Sequence, residues 1–131
     1  MKTSELMIGD WVEMNLSPSV HKYYFKAQIV VSNLVSLEAN FDFDAKPIPL
    51  TEEILKANGW NKNGAYNDYI LRGDIDDFIG YNADNKHVRI NIDGWNAKQE
   101  VYVSANFVHE LQHALRLCGL NDFADNFKVN I

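Results

Sequence analysis

Apolar and polar residues recur along the chain with different periods, and each period predicts an element. Leu6 to Met14 is mostly apolar, but Ile8, Trp11 and Val12 break strict alternation. A bulge or sharp bend at Gly9-Asp10 shifts the phase by one and keeps the segment a strand. Ser17-Pro18-Ser19 ends it. From Tyr23 to Val31, Phe25, Ala27, Ile29 and Val31 face one way and Lys26 and Gln28 the other, which predicts a second strand. After a turn at Ser32-Asn33, Leu34 to Phe43 carries the cleanest period of two in the chain: Val35, Leu37, Ala39, Phe41 and Phe43 against Ser36, Glu38, Asn40 and Asp42. Three consecutive antiparallel strands with short turns predict a curled, half-barrel-like meander.

Pro47-Ile48-Pro49 ends the meander, because proline cannot donate to a ladder. A short middle helix follows. Thr51 is its N-cap, Glu52 and Glu53 suit the positive end of the dipole, Leu50 packs on Leu55 as a staple, and Asn58-Gly59 stops it. Strands are then predicted over Tyr66 to Leu71, Ile75 to Tyr81 and His87 to Ile92. The hairpin signal Asp93-Gly94 leads to a last strand around Glu100 to Val103. Ser104 caps an amphipathic helix running to about Leu117 and closed by Gly119. The order β-β-β-α-β-β-β-β-α predicts an α+β fold with antiparallel sheet, the C-terminal helix packed on it. Residues 1–131 read as a single domain with two lobes, a β-meander over 1–46 and an α-β-β-β-β-α unit over 47–131.

Composition narrows the function classes. With 131 residues the chain buries roughly two-thirds of its unfolded surface and needs no staple. Twelve basic against eighteen acidic residues give a net charge of −6, which argues against binding nucleic acid or an anionic membrane. The cations Lys22, Lys26, Arg72, Lys86, Arg89 and Lys98 are dispersed and form no stripe for a single strand. Cys118 is the one cysteine, so no internal disulfide framework exists. It falls on the apolar stripe of the last helix and reads as a core residue. No apolar run approaches the roughly 20 residues of a membrane helix. The start Met1-Lys2-Thr3-Ser4-Glu5-Leu6 has no signal-peptide core. The expectation is a cytoplasmic protein with no cofactor.

One motif carries chemistry. His109-Glu110-Leu111-Gln112-His113 spells the His-Glu-x-x-His signature of zinc peptidases. Residues four apart share a helix face, so His109 and His113 could ligate one zinc while Glu110 acts as general base on its water. Three arguments weigh against it. Chance alone writes such a string in about one chain of this composition in 200. Phe107, Val108, Leu111, Ala114, Leu115 and Cys118 share an arc of about 120°, which leaves both histidines facing solvent. The thirteen residues after Cys118 are too few to build a subdomain over them. Finally, Arg116 stands where the extended motif has glycine, and no histidine or glutamate follows to complete the ligand set. Asp122 and Asp125 are the only acids close after the helix.

Other groupings point to less. Asn40 to Asp44 and Asp74 to Asp77 offer oxygens, but an EF-hand from Asp74 would need glycine at its sixth position and glutamate at its twelfth, where Ile79 and Asn85 stand. Both read as solvated turn and strand faces. His21 and His87 read as surface residues at strand ends. Trp11 reads as core, whereas Trp60 and Trp95 follow turn signals and are candidate hot spots of a protein contact.

Glu5-Leu6-Met7-Ile8-Gly9-Asp10-Trp11-Val12, then Pro47-Ile48-Pro49-Leu50-Thr51-Glu52-Glu53-Ile54-Leu55 with Asn58-Gly59-Trp60, then Val108-His109-Glu110-Leu111-Gln112 occur in that order. This set resembles a family of small uncharacterised proteins of gut bacteria, often carried on prophages and conjugative elements. The resemblance spans most of the chain and brings no activity, cofactor or catalytic residue with it. It implies His-x-Leu-Gln-Asn in the last helix, with asparagine in place of His113, and so a packing or capping role for Leu111-Gln112. The sequence therefore predicts a non-enzymatic module that binds a protein partner, an accessory of a mobile element. Two alternatives stand beside it: a zinc peptidase through His109, Glu110 and His113, and an acidic decoy for a DNA-binding protein.

Overall fold

The computed structural model describes residues 1–39, 42–63, 67–73, 77–93 and 98–129, with the main chain alone at 93, 98 and 99. After a 3-10 turn at Thr3–Glu5 the elements are β1 (Trp11–Asn15), β2 (Phe25–Gln28), α1 (Val31–Glu38), β3 (Asp44–Pro47), α2 (Glu52–Ala57), β4 (Asn61–Asn63), β5 (Asp68–Gly73), β6 (Asp77–Asn82), β7 (His87–Asp93), β8 (Lys98–Ser104), α3 (Val108–Leu117) and α4 (Asn121–Asp125). The fold is α+β. Its strands form a three-stranded antiparallel sheet in the order β2-β1-β3 and a five-stranded antiparallel meander in the order β4-β5-β6-β7-β8.

The small sheet corrects the expectation for Leu34 to Phe43. That segment does not form the third strand; its first half belongs to α1, and the third strand is Asp44–Pro47, paired with the far side of β1. Residues 40 and 41 lie outside the described residues. Two physical reasons favour the helix. Leu34 and Leu37, three apart, both pack into the small-sheet core beside Leu6, Met14 and Ile29, while Val35 stays exposed. Asn33 also holds the helix start, its Oδ1 accepting the Val30 N–H at 2.9 Å. The bend at Gly9-Asp10 is present. Gly9 sits at φ +93°, the Gly9 N–H donates to Ile29 O, and the Ile29 N–H donates to Asp10 O, both at 2.8 Å. Two residues of one chain thus face one of the other, as in a glycine bulge.

The C-terminal part keeps its four predicted strands and two helices and adds two elements that the pattern did not predict, β4 at Asn61–Asn63 and α4 at Asn121–Asp125. Thr51 Oγ1 accepts the Ile54 N–H at 3.3 Å as the cap of α2, and Gly59 at φ +86° ends it. The turn between β7 and β8, including Trp95, falls outside the described residues, as do Tyr66 and Ile75 of the predicted strands. Ser104 does not cap α3. β8 runs through it, and the cap residue is Phe107, held by Leu50 N–H to Asn106 O (3.0 Å) and Val108 N–H to Ile48 O (2.9 Å). Trp60 is 1 % exposed and belongs to the core under the large sheet, so it is no surface hot spot. Val108, Leu111, Ala114, Leu115 and Cys118 of α3 complete that core; burial pushes the Cys118 thiol pKa up.

Candidate functional site

α3 is contacted on one side by β7 and β8 and on the other by β1. It is therefore covered on both faces. The sequence expectation that His109 and His113 face solvent is wrong on this account: the cover comes from the N-terminal sheet, not from residues after the helix. His109 is only 7 % exposed, and the His113 side chain is 24 % exposed.

The cover is joined to the helix through polar groups. Gln112 is fully buried. Its Oε1 accepts the Trp11 N–H at 2.9 Å, while its Nε2 donates to Gly9 O at 3.0 Å and to Ala124 O at 2.9 Å. The Trp11 indole N–H donates to Phe127 O at 2.5 Å. Asp10, also fully buried, stands at the centre. Its Oδ2 accepts the Met7 N–H at 2.7 Å and lies 2.6 Å from His113 Nε2, and its Oδ1 lies 2.5 Å from Arg116 Nη1. Arg116 Nη2 reaches Asp125 Oδ1 at 3.3 Å. A carboxylate out of water needs cationic or N–H partners to offset its lost hydration. The turn at Gly9 and one face of α3 supply three. Gly9 also makes room: a Cβ there would stand 2.9 Å from Arg116 Nη2.

The remaining groups of the motif serve the architecture in the same way. Glu110 Oε1 accepts the N–H of Asn106 at 2.9 Å and of Phe107 at 3.1 Å, so this carboxylate closes the N-terminus of α3. His109 stacks near-parallel on Phe107 (centroids 6.0 Å) and edge-on to His113 (5.5 Å). Its Nδ1 is buried with no hydrogen-bond partner. Burial lowers the His109 pKa below the usual imidazole value; Asp10 opposes this, His113 adds to it, and Glu110 and Glu5 oppose it more weakly. A pocket of about 360 Å³ opens here, lined by Met1, Glu5, Pro47, Phe107, His109, Glu110 and His113.

This geometry does not assemble a peptidase centre. Glu110 is engaged by two main-chain donors, and His113 Nε2 is engaged by Asp10. Among the described residues no three His, Cys, Asp or Glu side chains lie close enough to hold a metal ion. Asp122 lines a different pocket, of about 340 Å³, with Trp60, Leu71 and Phe123, and Asp125 serves Arg116. The other acidic groupings are bound locally: Asp42 to Ser19, Asp44 to Tyr24 and Asp77 to Arg72. Residues 74–76 lie outside the described residues. His21 is exposed, and His87 stacks on Tyr102 at 4.8 Å on the outer face of the large sheet.

Asp10 is the residue that sequence reasoning missed, with Arg116 as its partner. A signal was present: His113 and Arg116 stand three apart on the helix face away from the apolar stripe, a pair of donors suited to a buried acid. The fold and this cluster define an α+β protein whose C-terminal helix is clamped to an N-terminal sheet by a buried polar network. No protein-family model, curated protein or solved structure matches the chain. Among the described residues, no helix is long and apolar enough to cross a membrane.

Proposed function

We propose that the protein is a non-enzymatic interaction module, acting on a protein partner in the bacterial cytoplasm as an accessory of a mobile element or prophage. The observation that carries this reading is an exposed aliphatic strip on the N-terminal sheet. Val31 (60 % exposed) and Val35 (55 %) share one face of α1, with Val30 (52 %) just before them, and Ile8 (57 %) stands exposed in the turn that precedes β1. Aliphatic side chains side by side in water are costly to a monomer and characteristic of contact surfaces. The architectural use of Glu110 and His113 supports the same reading, because it takes up the general base and one of the two ligands that a zinc peptidase would need. Among the described residues, acids stand on α2, β3 and α4 and not on one element, unlike the single stripe an acidic decoy needs.

Photo-crosslinking tests the reading. A photoreactive residue at Val31 or Val35, in cells carrying the native mobile element, should give a discrete protein adduct. The same residue at Lys56, exposed on α2, should not. No adduct at the strip, or equal adducts at all three positions, would refute the proposal.

A further inference from the structure

Four strands end the two sheets, and three of those edges are protected against pairing. β4 has three residues, β2 has four, and β3 has four and closes on Pro47. β8 is different. It has seven residues, no proline, and seven successive pairs with β7 without a bulge. The Ala105 N–H donates to Lys86 O at 2.8 Å, which sets the phase of the ladder. Val103 and Val101 then turn their main chain toward β7, while Glu100, Tyr102 and Ser104 turn theirs outward. Among the described residues no main-chain group bonds this outer side. Tyr102 (62 % exposed) and Val103 (37 %) lie on opposite faces of the same edge. Long open edges of this kind recruit another strand.

We infer that two copies of the chain join edge to edge through β8, antiparallel about a twofold axis at Tyr102, so that the two five-stranded sheets become one. The residues are self-complementary in that register. Outward main-chain groups must meet their like, which pairs Tyr102 with Tyr102 and Glu100 with Ser104 as the bonded positions. On the outer face the two tyrosine rings meet at the axis, each backed by its own His87. On the inner face Val103 meets Val101 of the other copy and is withdrawn from water. No like charges oppose each other between residues 100 and 104. A register centred on Glu100 would set two carboxylates face to face, which disfavours it. Five residues a side make a small interface, so the dimer dissociates readily on dilution. This surface lies on the sheet away from the aliphatic strip, and a monomer in solution would leave the interaction-module reading standing.

Sedimentation velocity over a wide concentration range, with amide exchange by NMR, tests the inference. The protein should pass from monomer to dimer with rising concentration. The amides of Glu100, Tyr102 and Ser104 should gain protection only where the dimer forms. Two variants should remain monomeric at all concentrations. Tyr102→Pro removes an outward N–H that the monomer does not use. Val103→Lys places a charge against Val101 of the other copy, and it decides alone if the proline variant does not fold. A monomer at the highest soluble concentration overturns the proposal. So does a dimer that survives Val103→Lys, or one in which those three amides exchange as fast as in the monomer.

Discussion

Asp10 shows why a short motif can be written into a helix without its chemistry. A carboxylate at 0 % exposure needs several donors, and α3 provides two of them, His113 and Arg116, one turn apart. Gln112, next to His113, bonds the chain on either side of Asp10, through the Trp11 N–H and Gly9 O. The letters His-Glu-x-x-His thus combine a cap (Glu110), a packed ring (His109) and a donor to a buried acid (His113). His109 has a consequence for pH. Its folded pKa lies below the ordinary 6.5, so between the two values the unfolded chain binds more protons than the folded one. The contribution of a neutral, buried His109 is complete above about pH 6.5 and is lost as pH falls from there toward the lowered folded pKa. His109→Phe keeps the stacking on Phe107 and removes the titration. Its melting temperature relative to wild type should therefore rise as pH falls from 7.5 to 5. A difference that stays constant over that range would contradict the burial argument.

At the scale of elements, the stretch with the cleanest alternation folded as the element it did not predict. In Leu34 to Phe43 a period of two was read from Val35, Leu37 and Ala39, but within α1 it is Leu34 and Leu37 that reach the core, and they are three apart. Residues 34–38 fit both periods, and the Asn33 cap decided between them. Most of the other elements were legible because their punctuation is local chemistry: Thr51 and Gly59 bound α2, Gly119 at φ +73° ends α3, and Gly9 makes the bulge; β4 and α4, three and five residues long, are too short to show a period. The start of α3 was displaced from Ser104 to Phe107 because β8 uses Ser104 in its pair with His87. A direct test of α1 is Val35→Ala. In an exposed helix position alanine is better by a few tenths of a kcal/mol, so the variant should be as stable as wild type or slightly more so. In a strand the same change would cost stability. A clear loss in a urea titration would restore the strand.

Across the whole molecule, what the sequence could not display is that the N-terminal sheet covers the polar face of a helix a hundred residues later. Local periodicity reports which face of α3 is apolar; it says nothing of where a distant carboxylate comes to lie. Buried Asp10 and Gln112 and half-buried Trp11 couple the two sheets, so their loss should be felt by both. Gln112→Leu leaves the Trp11 N–H unpaired and takes one donor each from the carbonyls of Gly9 and Ala124, which keep Gln28 Nε2 and the Phe127 N–H, at a cost of about 2 kcal/mol. Fluorescence of the tryptophans and far-ultraviolet dichroism should still report one coincident urea transition, at a lower midpoint than wild type. Two separated transitions would mean that the sheets are not coupled through this network.

His109, Glu110 and His113 are used by the fold, as a packed ring, a helix cap and a donor to Asp10, and this use competes with any metal. Zinc content and affinity of the purified, untagged protein test it most directly, measured beside His113→Asn. Neither protein should hold stoichiometric zinc, and melting temperatures should be the same with added zinc as with chelator. The variant should also melt lower than wild type, because Asp10 loses a donor. One equivalent of zinc bound below micromolar by the wild type and lost in the variant, with a melting temperature that zinc raises, would contradict this use of the three residues and return the motif to catalysis.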